Sequence, residues 1–335
     1  MPSATHGQSF PVEPSALTID EIEGMVTALK SELLSRHNRT LQWEPNPLPE
    51  GNIAQPGGRT AMVALALIDA GVPVQEPRLL SAIQEIATNG VRGNYALGAC
   101  LMIYARLPDR YLPQVNAPLS QLLNAFSVDA GGWAYYEEPI PELIDNSVTQ
   151  FAILGLADIA SRGVKVPPAV FNAVRNRFLA LQGPDGGWGY TTPVEPRGSM
   201  TAAGVATITL CNKYARANSK ILTSSQRAVQ KGIEWLDTNF VSSSNPGVGD
   251  WQIQYWLFSA QRAAQATAMR TIGVHDWLCE GAAAIANGLL HRDELGDWVV
   301  NAGEFPPDSS DLAFALLFLS RGQKSIAFGL YTEPG

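Results

Sequence analysis

Residues Phe178-Leu-Ala-Leu-Gln182-Gly-Pro-Asp-Gly-Gly-Trp188 run from an apolar helical stretch into a glycine turn and then a tryptophan. Glycine permits the tight turn, and an indole is large enough to plug the gap between neighbouring helical hairpins. The pattern recurs in Ala130-Gly-Gly-Trp133, Gly249-Asp-Trp251 and Gly296-Asp-Trp298, with Trp43 and Tyr95 as degenerate copies. The four tryptophans lie 55, 63 and 47 residues apart. A period near 50 residues marks a supersecondary unit that closes on, or stacks against, copies of itself.

Outward from these turns the chain reads as helix after helix. Apolar residues recur at helical spacing over roughly 18–37, 58–70, 76–89, 93–106, 110–127, 145–162, 167–182, 198–216, 223–240, 252–266, 273–291 and 308–321. Strand alternation is absent beyond a few residues. The even-numbered helices open on small or polar residues and are then densely apolar, as in Asp145-Asn-Ser-Val-Thr-Gln-Phe-Ala and Asp308-Ser-Ser-Asp-Leu-Ala-Phe-Ala. The odd-numbered ones are amphipathic and more charged. A helix apolar all round is buried, so the even helices form an inner layer and the odd ones an outer layer. Twelve helices in six hairpins give an all-α (α/α)6 toroid. An open solenoid is the competing arrangement, and the scarcity of charge on the inner helices favours closure.

Composition agrees. The 335 residues are 46% hydrophobic and 16% charged, with a net charge of -8. A chain this apolar is not disordered, and an acidic chain without a long Lys/Arg run is a poor nucleic-acid binder. Cys100, Cys211 and Cys279 sit inside apolar helical runs and form neither a disulfide framework nor a zinc pair. No stretch approaches the ~18 apolar residues of a membrane span. Residues 1–14 are polar, lack the apolar core of a signal peptide, and read as a disordered arm on a cytoplasmic protein. Residues 15–325 read as one toroid domain, with 326–335 as a tail.

The segment from Phe178 through Gln182 to Trp188 resembles the QW motif of squalene and oxidosqualene cyclases. The other three turns carry Ser127, Asn245 and Arg292 where that motif has Gln. One strong copy and several weak ones, over about residues 120–320, resemble the prenyltransferase/squalene-oxidase repeat superfamily, and within it the squalene-cyclase-like bacterial repeat proteins. The resemblance implies a toroid; function lives in the site rather than in the fold.

Class II cyclases protonate an alkene or epoxide with the aspartate at the third position of a DxDD motif. The nearest match here is Asp308-Ser-Ser-Asp311, which puts Ser310 at the donor position. A serine hydroxyl cannot protonate an alkene. The remaining candidate acids are Asp308, Asp311 and Asp145, although Asp308 and Asp311 also fit the first turn of a helix as cap and dipole partner. No DDxxD cluster for magnesium is present. His275 and Cys279 share a helix face, as in zinc sites, but on an outer helix that points away from a central cavity, so neither metal nor cofactor is expected. A carbohydrate-active toroid would need two carboxylates flanking one bond; Glu137, Glu138, Asp145 and Asp311 are the candidates, with Trp133, Trp188, Tyr135 and Tyr136 for stacking.

What remains is a cavity at the N-terminal ends of the inner helices. Arg59, Tyr95, Tyr135, Tyr136, Asn146, Gln150, Thr201, Tyr255 and Trp256 are the candidate ligand-binding residues, with Met62, Phe151, Met200 and Phe314 extending an apolar shaft below. Converging helix N-termini favour an anion or a polar group. A polar rim over an apolar shaft suits an amphiphile. The expected function is therefore a non-catalytic or divergent binder of an apolar or isoprenoid small molecule, or of a protein partner. A terpenoid-cyclase-like enzyme using Asp308 or Asp311 is the alternative. The opposing structural reading is a plugged toroid whose polar residues merely cap helices.

Overall fold

The computed structural model describes residues 11–47, 55–191, 195–215, 217–303 and 306–327. Twelve α-helices follow one another: α1 (Ile19–Ser35), α2 (Gly58–Asp69), α3 (Pro77–Asn89), α4 (Asn94–Arg106), α5 (Asn116–Asn124), α6 (Asn146–Ser161), α7 (Pro168–Leu181), α8 (Gly198–Tyr214), α9 (Ser219–Asn239), α10 (Ile253–Thr267), α11 (Trp277–Leu289) and α12 (Ser309–Ala327). The even helices form the inner layer. Each packs on the next, and α12 returns to α2, so the ring closes. The odd helices lie outside: α1 on α12, α3 on α2, α5 on α4, α7 and α9 on α8, and α11 on α10 and α12. This is the all-α (α/α)6 toroid.

The inner ring is held tight by small residues. A Cβ on Gly98 would lie 2.6 Å from the carbonyl of Phe151, and one on Gly155 would lie 2.5 Å from the carbonyl of Gly98. Glycine at both positions lets the α4 and α6 backbones approach closely. Away from the helix N-termini, Arg106 bridges three inner helices. Its Nε lies 2.6 Å from Asp69 of α2 and its Nη1 2.7 Å from Asp158 of α6.

The tryptophan turns act as staples. The indole N–H of Trp133 donates to the Leu122 carbonyl at 2.6 Å and that of Trp188 to Phe178 at 2.8 Å, each on the preceding outer helix. Their backbone N–H groups donate to Thr149 and Thr201, at 3.1 Å each, on the following inner helix. Trp43 repeats both bonds, to Leu33 and Thr60. Gln182 adds a third link, donating to the carbonyls of Gly186 at 2.9 Å and Ala228 on α9 at 2.8 Å.

Two of the four turn tryptophans behave otherwise. Trp251 is 60% exposed, and its place in the core is taken by Trp256, whose indole donates to Val241. Trp298 lies in β2 (Trp298–Val300), which pairs antiparallel with β1 (Leu290–Arg292), and its indole donates to Glu21 of α1. This two-stranded ribbon was not legible in the sequence. Helix five is shorter than 110–127 because Pro113, in the 3-10 turn Asp109–Val115, lacks the donor an α-helix needs. Helix eleven begins at Trp277 rather than 273, because Gly273 adopts a φ of +59° in the turn Ile272–His275 and Asp276 caps the helix. At the N-terminal end, Val12 exchanges two hydrogen bonds with Asn287 of α11. The remainder of the expected arm, residues 1–10, and residues 328–335 of the expected tail lie outside the described residues.

Truncating the two kinds of tryptophan separates them. Trp188→Ala is expected to lower unfolding stability by about 3–5 kcal/mol, whereas Trp251→Ala stays within about 0.5 kcal/mol. Equal losses in denaturant titrations would contradict the assignment of Trp188 as a staple and Trp251 as a free side chain.

Candidate functional site

A cavity of about 400 Å³ opens at the N-terminal ends of the inner helices. Its floor is Met62 of α2, Phe151 of α6 and Phe314 of α12, and its walls are Tyr95, Tyr135, Tyr190, Trp251 and Tyr255. At the floor the rings of Phe151, Phe258 and Phe314 pack with centroids 5.3–6.3 Å apart. We refer to this cavity as the cup. The charged lining groups gather on one side, where Arg59, Asp308, Ser310 and Asp311 meet across the α12–α2 closure, and Gln55, Ser147 and Gln252 place neutral polar groups elsewhere in the wall. Arg59 Nη2 lies 3.0 Å from Asp308 Oδ2.

The positive ends of four inner helices, α2, α4, α6 and α12, are met by carboxylates of the chain. Asp308 Oδ1 accepts from the backbone N–H of Ser310 at 2.7 Å and of Asp311 at 2.9 Å, while Asp311 accepts in return from the Asp308 N–H at 3.3 Å. This is the reciprocal logic of a capping box. Asp145 accepts from the N–H groups of Ser147 and Val148 on α6. Glu44 accepts from Thr60 on α2 and Glu137 from Gly93 at the start of α4. The expectation that converging N-termini favour an anion is thus weakened at α2, α4, α6 and α12, where carboxylates of the chain itself stand; α8 is met by the neutral Asn245 amide and α10 has no side-chain cap.

Of the residues expected at the site, Arg59, Tyr95, Tyr135, Tyr255, Asp308 and Asp311 line the cavity. Asp145 does not. It is buried behind the wall and accepts from the hydroxyl of Ser147, which in turn accepts from the phenol of Tyr95. This chain of three groups links the cavity to a buried carboxyl. Burial pushes Asp145 above the usual carboxylate range, against the hydrogen bonds from Ser147 and Val148 that favour the ion. Burial also raises the phenols of Tyr95 and Tyr255 well above their ordinary value, so both stay neutral.

The other expected ligand-binding residues serve the scaffold. Tyr136 gives its carbonyl to Asn94 at 2.6 Å. Asn146 donates to the Gly189 carbonyl at 2.9 Å and Thr201 accepts from the Trp188 N–H. Trp256 and Met200 are core. Gln150 is buried beneath Tyr255, whose hydroxyl donates to it at 2.9 Å. Glu137 and Glu138 are exposed, outside the cavity. His275 stacks on Phe240 and pairs with Glu280 at 3.2 Å, and burial pushes the Cys279 thiol up to about 11. Sequence reasoning missed Gln55, Ser147, Tyr190, Trp251, Gln252 and Ser310 as lining residues. Ser147 follows the Asp145 cap, Ser310 lies in the Asp308–Asp311 stretch and Trp251 in a Gly-Asp-Trp turn, whereas Gln55, Tyr190 and Gln252 carried no local signal.

No protein-family model matches the sequence, and a comparison with curated proteins finds no relative. Solved structures do share the fold. The type II terpene cyclase MstE from Scytonema matches with a TM-score of 0.60 at 12% identity, covering 91% of this chain and 99% of that one. The same cyclase has been solved as a variant in complex with geranylgeranyl dihydroxybenzoate, and that form matches with a TM-score of 0.57 at 12% identity, over 92% and 98%. The GH76A alpha-1,6-mannanase from Salegentibacter sp. HEL1_6 matches with a TM-score of 0.65 at 9% identity, over 91% and 99%. At these identities the likeness establishes the toroid alone.

Proposed function

We propose that the chain binds an apolar or isoprenoid small molecule in the cup at the mouth of the toroid. One observation carries this reading: aromatic and aliphatic side chains make up most of the lining, and the charged groups are confined to the α12–α2 side. A volume near 400 Å³ falls in the range of small-molecule sites, which pair apolar walls with a few placed polar groups. The terpene cyclase complex supports the reading by analogy, since a toroid of this architecture there holds a geranylgeranyl compound.

A second reading has its own observation. Asp308 is held by Arg59, whereas Asp311 lines the cup without an ion-pair partner among the described residues. Burial first, and the neighbouring Asp308 second, push its carboxyl above the usual range. One anchored carboxylate beside an acid whose pKa is raised is the arrangement acid catalysis uses. In this reading the Asp311 O–H bond breaks, a C–H bond forms on a ligand alkene, and the cation remains on the ligand beside the carboxylate. A glycosidase reading lacks such support. Asp308 and Asp311 share one helical turn and cannot flank a bond from two sides, and the chain has no pair of consecutive aspartates like the pair replaced in inactive variants of the mannanase.

Binding is tested by thermal denaturation with farnesol and geranylgeraniol. At a hundredfold excess over Kd a ligand contributes about 2.7 kcal/mol to stability, and Phe314→Trp, which fills the floor, is expected to abolish the resulting rise in Tm. No rise with either alcohol would sink the reading. The acid reading is tested by incubating wild type and Asp311→Asn with geranylgeranyl and squalene substrates; cyclised product from the wild type alone is expected, and equal turnover by both contradicts it.

The titration of Asp311 is visible in stability as well. A carboxyl raised in the folded state binds more protons folded than unfolded, so stability falls as pH rises from about 4 through the raised value. Asp145 and Asp158 shift in the same direction. Asp311→Asn is therefore expected to reduce this slope without removing it, and an unchanged slope in urea titrations between about pH 4 and pH 7 counts against the assignment.

A further inference from the structure

We infer that the head group of the bound amphiphile is a cation, a quaternary or tertiary ammonium, rather than a phosphate or carboxylate. The inference rests on the binding reading above and adds the sign of the charge. Three features point the same way.

The first is the charge of the cup. Arg59 is the one cation among its described lining residues, and Asp308 already holds it at 3.0 Å. Asp311 is left over, with no ion-pair partner among the described residues. A phosphate entering here would face two acidic groups, Asp308 and Asp311, and one engaged guanidinium. The second is that four of the six inner-helix N-termini, the usual alternative source of positive potential, are met by carboxylates, Glu44, Glu137, Asp145 and Asp308, while α8 is met by the neutral amide of Asn245 and α10 has no side-chain cap. The third is the wall itself. Tyrosine and tryptophan faces carry negative quadrupole potential and recognise quaternary ammonium groups when several converge. Trp251 stands 60% exposed at the rim, the position of a side chain waiting for a ligand rather than one packed in a core. Arg197, paired with Glu195 at 3.4 Å, sits 5.6 Å from the centre of the Tyr190 ring and shows the same attraction there.

The test is calorimetric titration of the full chain with decyltrimethylammonium, decanol and decyl phosphate, each below its micelle concentration. The ammonium is expected to bind about tenfold more tightly than decanol, with decyl phosphate weakest, and added salt should narrow the margin. Asp311→Asn and Trp251→Leu should each cut the ratio of ammonium to decanol affinity severalfold. Trp251 is exposed, so its variant keeps the test informative even if the aspartate variant fails to fold. Decanol or decyl phosphate binding as tightly as the ammonium would overturn the cationic head while leaving the cavity reading in place. Binding by none of the three would remove the cavity reading as well.

Discussion

A buried indole bonded at both ends holds this toroid in register. Trp43, Trp133 and Trp188 each give the ring N–H to a carbonyl near the end of an outer helix and the backbone N–H to a threonine early in the next inner helix. An unpaired indole N–H in the core would cost a desolvation penalty, so the side chain has one place to sit, and seating it fixes the angle between consecutive helices. The outer layer can then be amphipathic and the inner layer nearly free of charge. Gln182 ties the same turn to the following outer helix, extending the link from one unit to the next.

Closing the ring has an electrostatic consequence. Inner helices α2, α4, α6 and α12 bring their positive ends to one mouth, and each end is met by a carboxylate of the chain. Two of those carboxylates, Asp308 and its capping partner Asp311, lie in the cavity wall itself. On α12 the capping carboxylates thus also line the cavity, while on α6 the cap Asp145 is withdrawn behind Ser147 and Tyr95. Helix α6 stands across the ring from α12, so the two kinds of carboxyl face the cup from opposite sides, one directly and one through hydroxyls.

The layer alternation, and with it the toroid, was legible in the sequence because a helix buried on every side must be apolar on every side. Trp133 and Trp188 were legible because their glycine turns are local. Trp251 shares the local Gly-Asp-Trp pattern, yet the core position goes to Trp256 five residues on; nothing in a turn motif says which of two nearby indoles packs. Arg59, Tyr95, Tyr255, Asp308 and Asp311 could be placed at the mouth from helix starts alone. Tyr190 and Gln252 could not, since they arrive from connections whose course is set by packing rather than by periodicity. Gln150 and Thr201 looked like rim residues because they are polar near a helix start, but hydrogen bonds to Tyr255 and Trp188 turn them inward. The strands Leu290–Arg292 and Trp298–Val300 are three residues each, too short for alternation to register.

The central claim is that ligands enter the aromatic cup bounded by α2, α4, α6, α10 and α12. Photolabelling of the purified chain with an alkyl diazirine amphiphile, followed by peptide mapping, tests it most directly. Labels on Trp251, Tyr255 and Phe314 are the predicted result. Labels confined to the outer groove lined by Val128, Asp129 and Arg177, with the cup unmarked, would contradict it.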